Sequence, residues 1–230
     1  MRIKRVASWA IPLLVVVALA YLFGYSNFLT VKSIKVNEVA QRSDIQRVIS
    51  SQSFNIKIGA KLARVNVRGA QKAISSIGWV ADAKVSRNWI TGRVSISANA
   101  RKAVAAIASN STSGALYVDS GGFIYQDPSI TESLPVITIA DSKLARAAAQ
   151  FVTALPTYLL GEMKNLSLDG AGEFIMQENL GSKTLNIRWG SALDLDTKVK
   201  IYEKLIALPE NKNAISIDLS DPKYPIVKNN

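Results

Sequence analysis

At 230 residues and 48% hydrophobic composition, the chain has room for one or two small domains with packed cores. Histidine and cysteine are both absent, which excludes a histidine-based triad, a thiol nucleophile, disulfides and ordinary zinc or haem sites. The net charge of +11 favours anionic surfaces such as lipid head groups, wall polymers or nucleic acid, and it equally describes a solvated basic face. Nucleic acid is disfavoured, because there is no helix-turn-helix pattern and no basic run interleaved with aromatics.

Arg2, Lys4 and Arg5 precede an uncharged run from Val6 to Tyr25 that includes Ile11, Leu13, Leu14, Val15, Val16, Val17, Leu19, Leu22 and Phe23. Twenty helical residues span about 30 Å, the hydrocarbon thickness of a bilayer. Residues 1–5 therefore read as a cytoplasmic tail and 6–25 as a single transmembrane helix, with the rest of the chain extracytoplasmic. Trp9, Tyr21 and Tyr25 fit an aromatic belt. Ala18-Leu19-Ala20 offers the competing reading of a cleaved signal peptide, but the apolar run continues past it through Leu22 and Phe23. Beyond the tail the remaining charge is +8.

Residues 28–98 read as strand, helix, helix, strand, strand. Val31, Ile34 and Val36 suggest a first strand. Ser43 caps a helix with Ile45, Val48 and Ile49 on one face, and Asn66 caps a second with Val67, Ala70, Ala73, Ile74 and Ile77. Gly78 ends it. Ala81, Ala83 and Val85 then alternate, as do Val94, Ile96 and Ala98 after a turn at Gly92.

From residue 99 onward the pattern is mostly strands with two helices. A strand at Val104–Ala108 is followed by a hairpin from Leu116-Tyr117-Val118-Asp119 to Phe123-Ile124-Tyr125, then a strand at Val136–Ile139. A helix from Asp141 carries Leu144, Ala148, Phe151, Val152 and Leu155 and stops at Pro156. Strands are expected at Asn165–Asp169, Glu173–Gln177 and Thr184–Trp189, with Gly181 in a turn. A last helix near Asp196 buries Val199, Tyr202, Leu205 and Ile206, and a final strand runs from Ala214 to about Ser220.

The blocks Phe28-Leu-Thr-Val, Gly78-Trp79-Val80, Tyr117-Val118-Asp119, Leu134-Pro135-Val136-Ile137 and Ile217-Asp218-Leu219, taken in order, resemble the FtsQ/DivIB family of bacterial cell-division proteins. Phe28-Leu-Thr-Val-x-x-Ile-x-Val and Gly78-Trp79-Val80-x-x-Ala83-x-Val85-x-Arg87-x-Trp89 are similar to the family's POTRA domain. Tyr117-Val118-Asp119-x-x-Gly122, Leu134-Pro135-Val136-Ile137, Leu185-x-Ile187-x-x-Gly190 with Lys198, and Ile217-Asp218-Leu219 with Pro225-x-Val227-Lys228 are similar to its C-terminal blocks. The chain departs from the family at Ile90, where Pro is usual, at Ala100 and Ala103, where Glu and Pro are usual, and at Asn66, where Asp is usual. The resemblance implies an α+β fold: a transmembrane helix, a β-α-α-β-β POTRA domain at 28–98, and a mostly antiparallel β domain with two helices at 99–228. It also implies a non-enzymatic scaffold linking early and late division proteins at the septum, in the cell membrane, with FtsB/DivIC-like and FtsL-like subunits and the septal wall synthase complex as candidate partners and no small-molecule substrate.

The residues themselves point the same way. There is no phosphate-binding glycine loop, no acid–base pair in a recognisable frame and no cofactor motif. Ser220-x-x-Lys223 has the form of a penicillin-binding nucleophile motif, but Pro222 and Pro225 make that stretch extended rather than helical. Asp119 and Asp218 read as turn and strand-end residues, and Trp79 and Trp89 as core or half-core. The final strand alternates Ile215, Ile217 and Leu219 with Ser216, Asp218 and Ser220, and as the last strand it is expected at a sheet edge, either open to strand addition or protected from it by Pro222 and Pro225. Carried over from the family by position, the partner-binding candidates are Ser220, Asp221, Lys223, Tyr224 and Ile226, with Leu219 packing beneath. The alternatives are an envelope transport or assembly accessory with one POTRA domain, and a cell-wall- or lipid-binding module.

Overall fold

The computed structural model describes residues 12–17, 21, 29–108, 114–180 and 183–229. The chain divides into two compact units, one ending at Arg101 and one beginning at Lys102. The expected tail at 1–5, most of the apolar run and Gly181 lie outside the described residues. The transmembrane expectation is corrected: no helix among the described residues is long and apolar enough to cross a membrane.

In the first unit, β1 (Ser33–Val36) is followed by α1 (Ser43–Ile49), α2 (Val67–Ser75), β2 (Val80–Asn88) and β3 (Arg93–Ala100). The sheet order is β1-β3-β2, with β1 parallel to β3 and β2 antiparallel to it. Residues opposite each other on an antiparallel pair share a face. The pairs Ala83–Ala98 and Val85–Ile96 therefore form one buried surface, which meets Ile45 of α1 and Ala70 and Ile74 of α2 in the unit's core. Asn66 caps α2 by accepting from the Gly69 N–H at 2.9 Å. Ser43 caps nothing: it lies inside α1, whose flanking residue is Arg42. Trp79 is buried, with its indole N–H on the Asp44 carboxylate (2.5 Å) and the Arg42 guanidinium 3.6 Å from its ring centroid. Trp89 lies nearer the surface, beneath the Arg87 guanidinium.

The second unit contains β4 (Ala103–Ile107), β5 (Leu116–Asp119), β6 (Ile124–Tyr125), β7 (Val136–Ile139), α3 (Ala145–Ala154), α4 (Thr157–Glu162), β8 (Met163–Leu168) and β9 (Phe174–Leu180). There follow β10 (Lys183–Gly190), α5 (Leu195–Ala207), β11 (Ala214–Asp218) and β12 (Ile226–Asn229). All nine strands form one sheet in the order β12-β11-β10-β9-β8-β7-β4-β5-β6. The expected mostly antiparallel domain is corrected to a large mixed sheet, because β4–β7, β7–β8 and β10–β11 run parallel. Two of these pairs follow from connectivity, since a helical crossover returns the chain in the direction it left.

Those crossovers define a module used twice. The first copy is β7, α3, α4, β8 and β9; the second is β10, α5, β11 and β12. Each crosses over to a parallel neighbour and then turns back in an antiparallel strand. In each, the main helix ends at an extended leucine followed by proline, Leu155-Pro156 and Leu208-Pro209. In each, an aspartate after or at the end of the second strand turns the chain. The Oδ1 of Asp169 accepts from the Ala171 N–H and that of Asp218 from the Ser220 N–H, both at 2.9 Å. One aromatic group links the copies: Phe151 stacks on Phe174 at 4.0 Å, and Trp189 meets Phe151 edge-on at 6.2 Å and Tyr202 at 5.8 Å.

Candidate functional site

The duplicated module shows where the second sheet has an unused side. In the first copy, the outer edge of β9 is covered by β10. The corresponding strand of the second copy is β12, and no strand pairs with its outer side among the described residues. The expectation that the strand at Ala214–Ser220 forms the edge is corrected accordingly: β11 is paired on both sides, parallel to β10 and antiparallel to β12. Pro222 and Pro225 punctuate a turn that leads to one further strand.

The predicted site residues fall on this turn and edge. Leu219 is fully buried, and its N–H donates to the Arg188 carbonyl at 2.7 Å. Ser220, Asp221, Lys223 and Tyr224 lie in the exposed turn, where Asp221 Oδ1 accepts from the Lys223 N–H (2.9 Å) and the Asp221 carbonyl from the Tyr224 N–H (3.1 Å). Ile226 opens β12. Its register partner is Asp218, on the face opposite the core, while its neighbour Val227 pairs with buried Ile217 and packs inward. Tyr224 is 77% exposed and Ile226 56%, and Ile215 of β11 adds a third solvent-facing apolar side chain. Among the described residues, the edge therefore combines main chain without a strand partner with nearby apolar side chains, the features that strand addition uses.

A rigid support lies behind the turn. Gly190 adopts φ +65°, and a β-carbon there would stand 2.9 Å from the Ser220 Cα, so the end of β10 and the start of the turn are in backbone contact. Lys198 of α5 is buried and donates to the carbonyls of Trp189 (2.7 Å) and Ser191 (2.9 Å), tying the helix to the end of β10. Burial pulls its ammonium pKa below the usual lysine range, against the opposing pull of Asp194 and Asp218. Below the same sheet, buried Glu178 of β9 accepts from the Tyr202 hydroxyl of α5. Burial pushes its carboxyl above the ordinary range, the Tyr202 hydrogen bond opposes that shift, and Glu162 adds to it.

Asp119 Oδ1 is occupied by the N–H groups of Gly121 and Phe123, both at 2.9 Å. Ser220 and Lys223 lie on a stretch without helix. Among the described residues no group of three or more acidic side chains is placed to hold a metal ion. Sequence reasoning missed β12 as a separate strand and Lys198 as a buried prop. The second was detectable: Leu195, Lys198, Val199 and Tyr202 fall on one helical stripe, which points the lysine inward. Comparison with known proteins finds no matching family model and no matching curated protein.

Proposed function

We propose that this protein is a non-enzymatic docking scaffold of the FtsQ/DivIB division type, which captures an extended segment of an FtsB/DivIC-like partner along β12. The observation that carries this reading is the outer side of β12, which no strand covers among the described residues, compared with the same strand of the first module, β9, which is completed by β10. Main-chain hydrogen bonds would supply affinity, and Tyr224, Ile226 and Ile215 would select the partner's side chains. The sequence resemblance names the partner class, and an FtsL-like subunit accompanies it in that class. Amide hydrogen exchange of the purified chain with and without an FtsB/DivIC-like subunit tests the proposal. Protection is expected at 226–229, and Y224A/I226D is expected to abolish complex formation without changing the urea midpoint. Complex formation that survives the double variant would refute it.

A further inference from the structure

The net charge is distributed very unevenly. Between Leu29 and Arg101 there are thirteen lysines and arginines against three acidic residues, a net of +10, whereas Lys102 to Asn230 carries a net of −2. Within the first unit, part of that charge converges on a polar cavity of about 510 Å³ at the start of α2, lined by Arg64, Asn66, Arg68 and Arg87 and by no acidic side chain.

Arg87 is held in place from behind. Strand alternation puts it on the buried face of β2, opposite Val94, where an unbonded cation would be costly. Both hydrogens of its Nη1 are used, by the carbonyls of Leu62 (2.6 Å) and Val65 (2.9 Å), and its guanidinium lies 4.6 Å from the Trp89 ring centroid. Its Nε and Nη2 hydrogens find no acceptor among the described residues. Arg64, ending the short helical turn at Leu62–Arg64, and Arg68, the second residue of α2, are exposed, and neither makes an ion pair among the described residues. Three guanidinium groups, one of them preorganised, thus share a cavity without a counter-charge. The first turn of α2 adds partial positive charge of the same sign, a minor part beside the arginines.

From this geometry we infer that the cavity is a binding site for a phosphate monoester dianion. A guanidinium fork matches the spacing of phosphate oxygens and binds them in pairs. A phosphate monoester carries close to two charges at neutral pH and three acceptor oxygens, so it engages three arginines, whereas a single carboxylate offers one charge and two oxygens.

The test uses the purified chain at constant ionic strength, with inorganic phosphate and acetate as soluble probes followed by NMR of the Val67 and Arg68 amides. Phosphate is expected to give saturable shifts at least tenfold tighter than acetate, and R64Q/R68Q, which alters only exposed side chains, is expected to weaken binding at least tenfold while leaving the urea midpoint unchanged. A non-saturable response, an unaffected double variant, or acetate binding as well as phosphate would overturn the proposal, the last by making the cavity a site for a carboxylate-bearing peptide. Sedimentation with vesicles containing phosphatidic acid but not with pure phosphatidylcholine, lost in R64Q/R68Q, would place the phosphate on a lipid. A soluble response without vesicle binding would place it on a free phosphate compound.

Discussion

Replacing Gly190 with alanine tests whether the turn that presents the docking edge is supported as described. The left-handed backbone at φ +65° costs an L-residue about 1 kcal/mol more than glycine. The added methyl would also stand 2.9 Å from the Ser220 Cα and 3.0 Å from its Cβ, where ordinary contact begins at 3.4 Å. Because the obstacle includes backbone rather than the end of a flexible side chain, the second strand pair must shift, at roughly 1–3 kcal/mol for overpacking. Gly190→Ala is therefore expected to cost about 2–4 kcal/mol, read as a lower urea midpoint with an unchanged slope. It is also expected to weaken partner capture, since Ser220 begins the turn to β12. Gly161→Ala supplies the control: that residue is inside α4 with nothing within 4 Å of its would-be β-carbon, so alanine is expected to stabilise by about 0.5–1 kcal/mol. A Gly190→Ala midpoint indistinguishable from wild type would refute the backbone contact and the support assigned to it.

Three further outcomes follow from the same unit. Glu178 has a folded pKa raised above 4.5, so the native state binds its proton more readily than the unfolded chain, and its ionised form costs stability at neutral pH. E178Q keeps an acceptor for Tyr202 and should be more stable than wild type at pH 7.5, with the gap closing as pH falls toward the pKa of the unfolded carboxyl; a gap independent of pH in urea titrations would contradict this. Lys198→Met leaves the carbonyls of Trp189 and Ser191 without their buried donor and should destabilise by roughly 1–3 kcal/mol, measurable by the same titration. Removing 216–230 deletes buried Ile217 and Leu219 and should abolish cooperative unfolding of the second unit, whereas Y224A alone should shift stability by less than about 0.5 kcal/mol.

Strong local patterns in the sequence located most elements, and the structural differences have local causes. The Asn66 cap, the Val94-Ile96-Ala98 stripe and the Asp119 hairpin are local features, legible because each depends on neighbours a few residues away. The alternation of Ala81, Ala83 and Val85 points Ala81 inward, but it is exposed; a register shift between Val80 and Asp82 turns Val80 inward in its place. Pro156 ends α3 and also precedes α4, because proline is as acceptable before a first turn as it is disruptive within one. The parallel pairings of the second sheet join residues about 30 apart, and that of β1 with β3 joins residues 60 apart, separations that no short-range periodicity encodes. For the candidate site, the segment from Leu219 to Ile226 is legible in the sequence, whereas the edge strand is not: β12 is four residues long, follows proline and alternates weakly, so it lacks a strand signature of its own and the pattern points to β11 instead.

The shared aromatic group has a bearing on how the duplicated module melts. Phe151 and Phe174 belong to the first copy, and Trp189 and Tyr202 to the second, while the Tyr202 hydroxyl reaches back to Glu178 across the seam. Tandem units that touch only through modest interfaces can fray from one end. Here neither copy owns a complete interior, so heating should release both together in a single calorimetric transition, and damage on one side of the seam should be felt with equal force on the other.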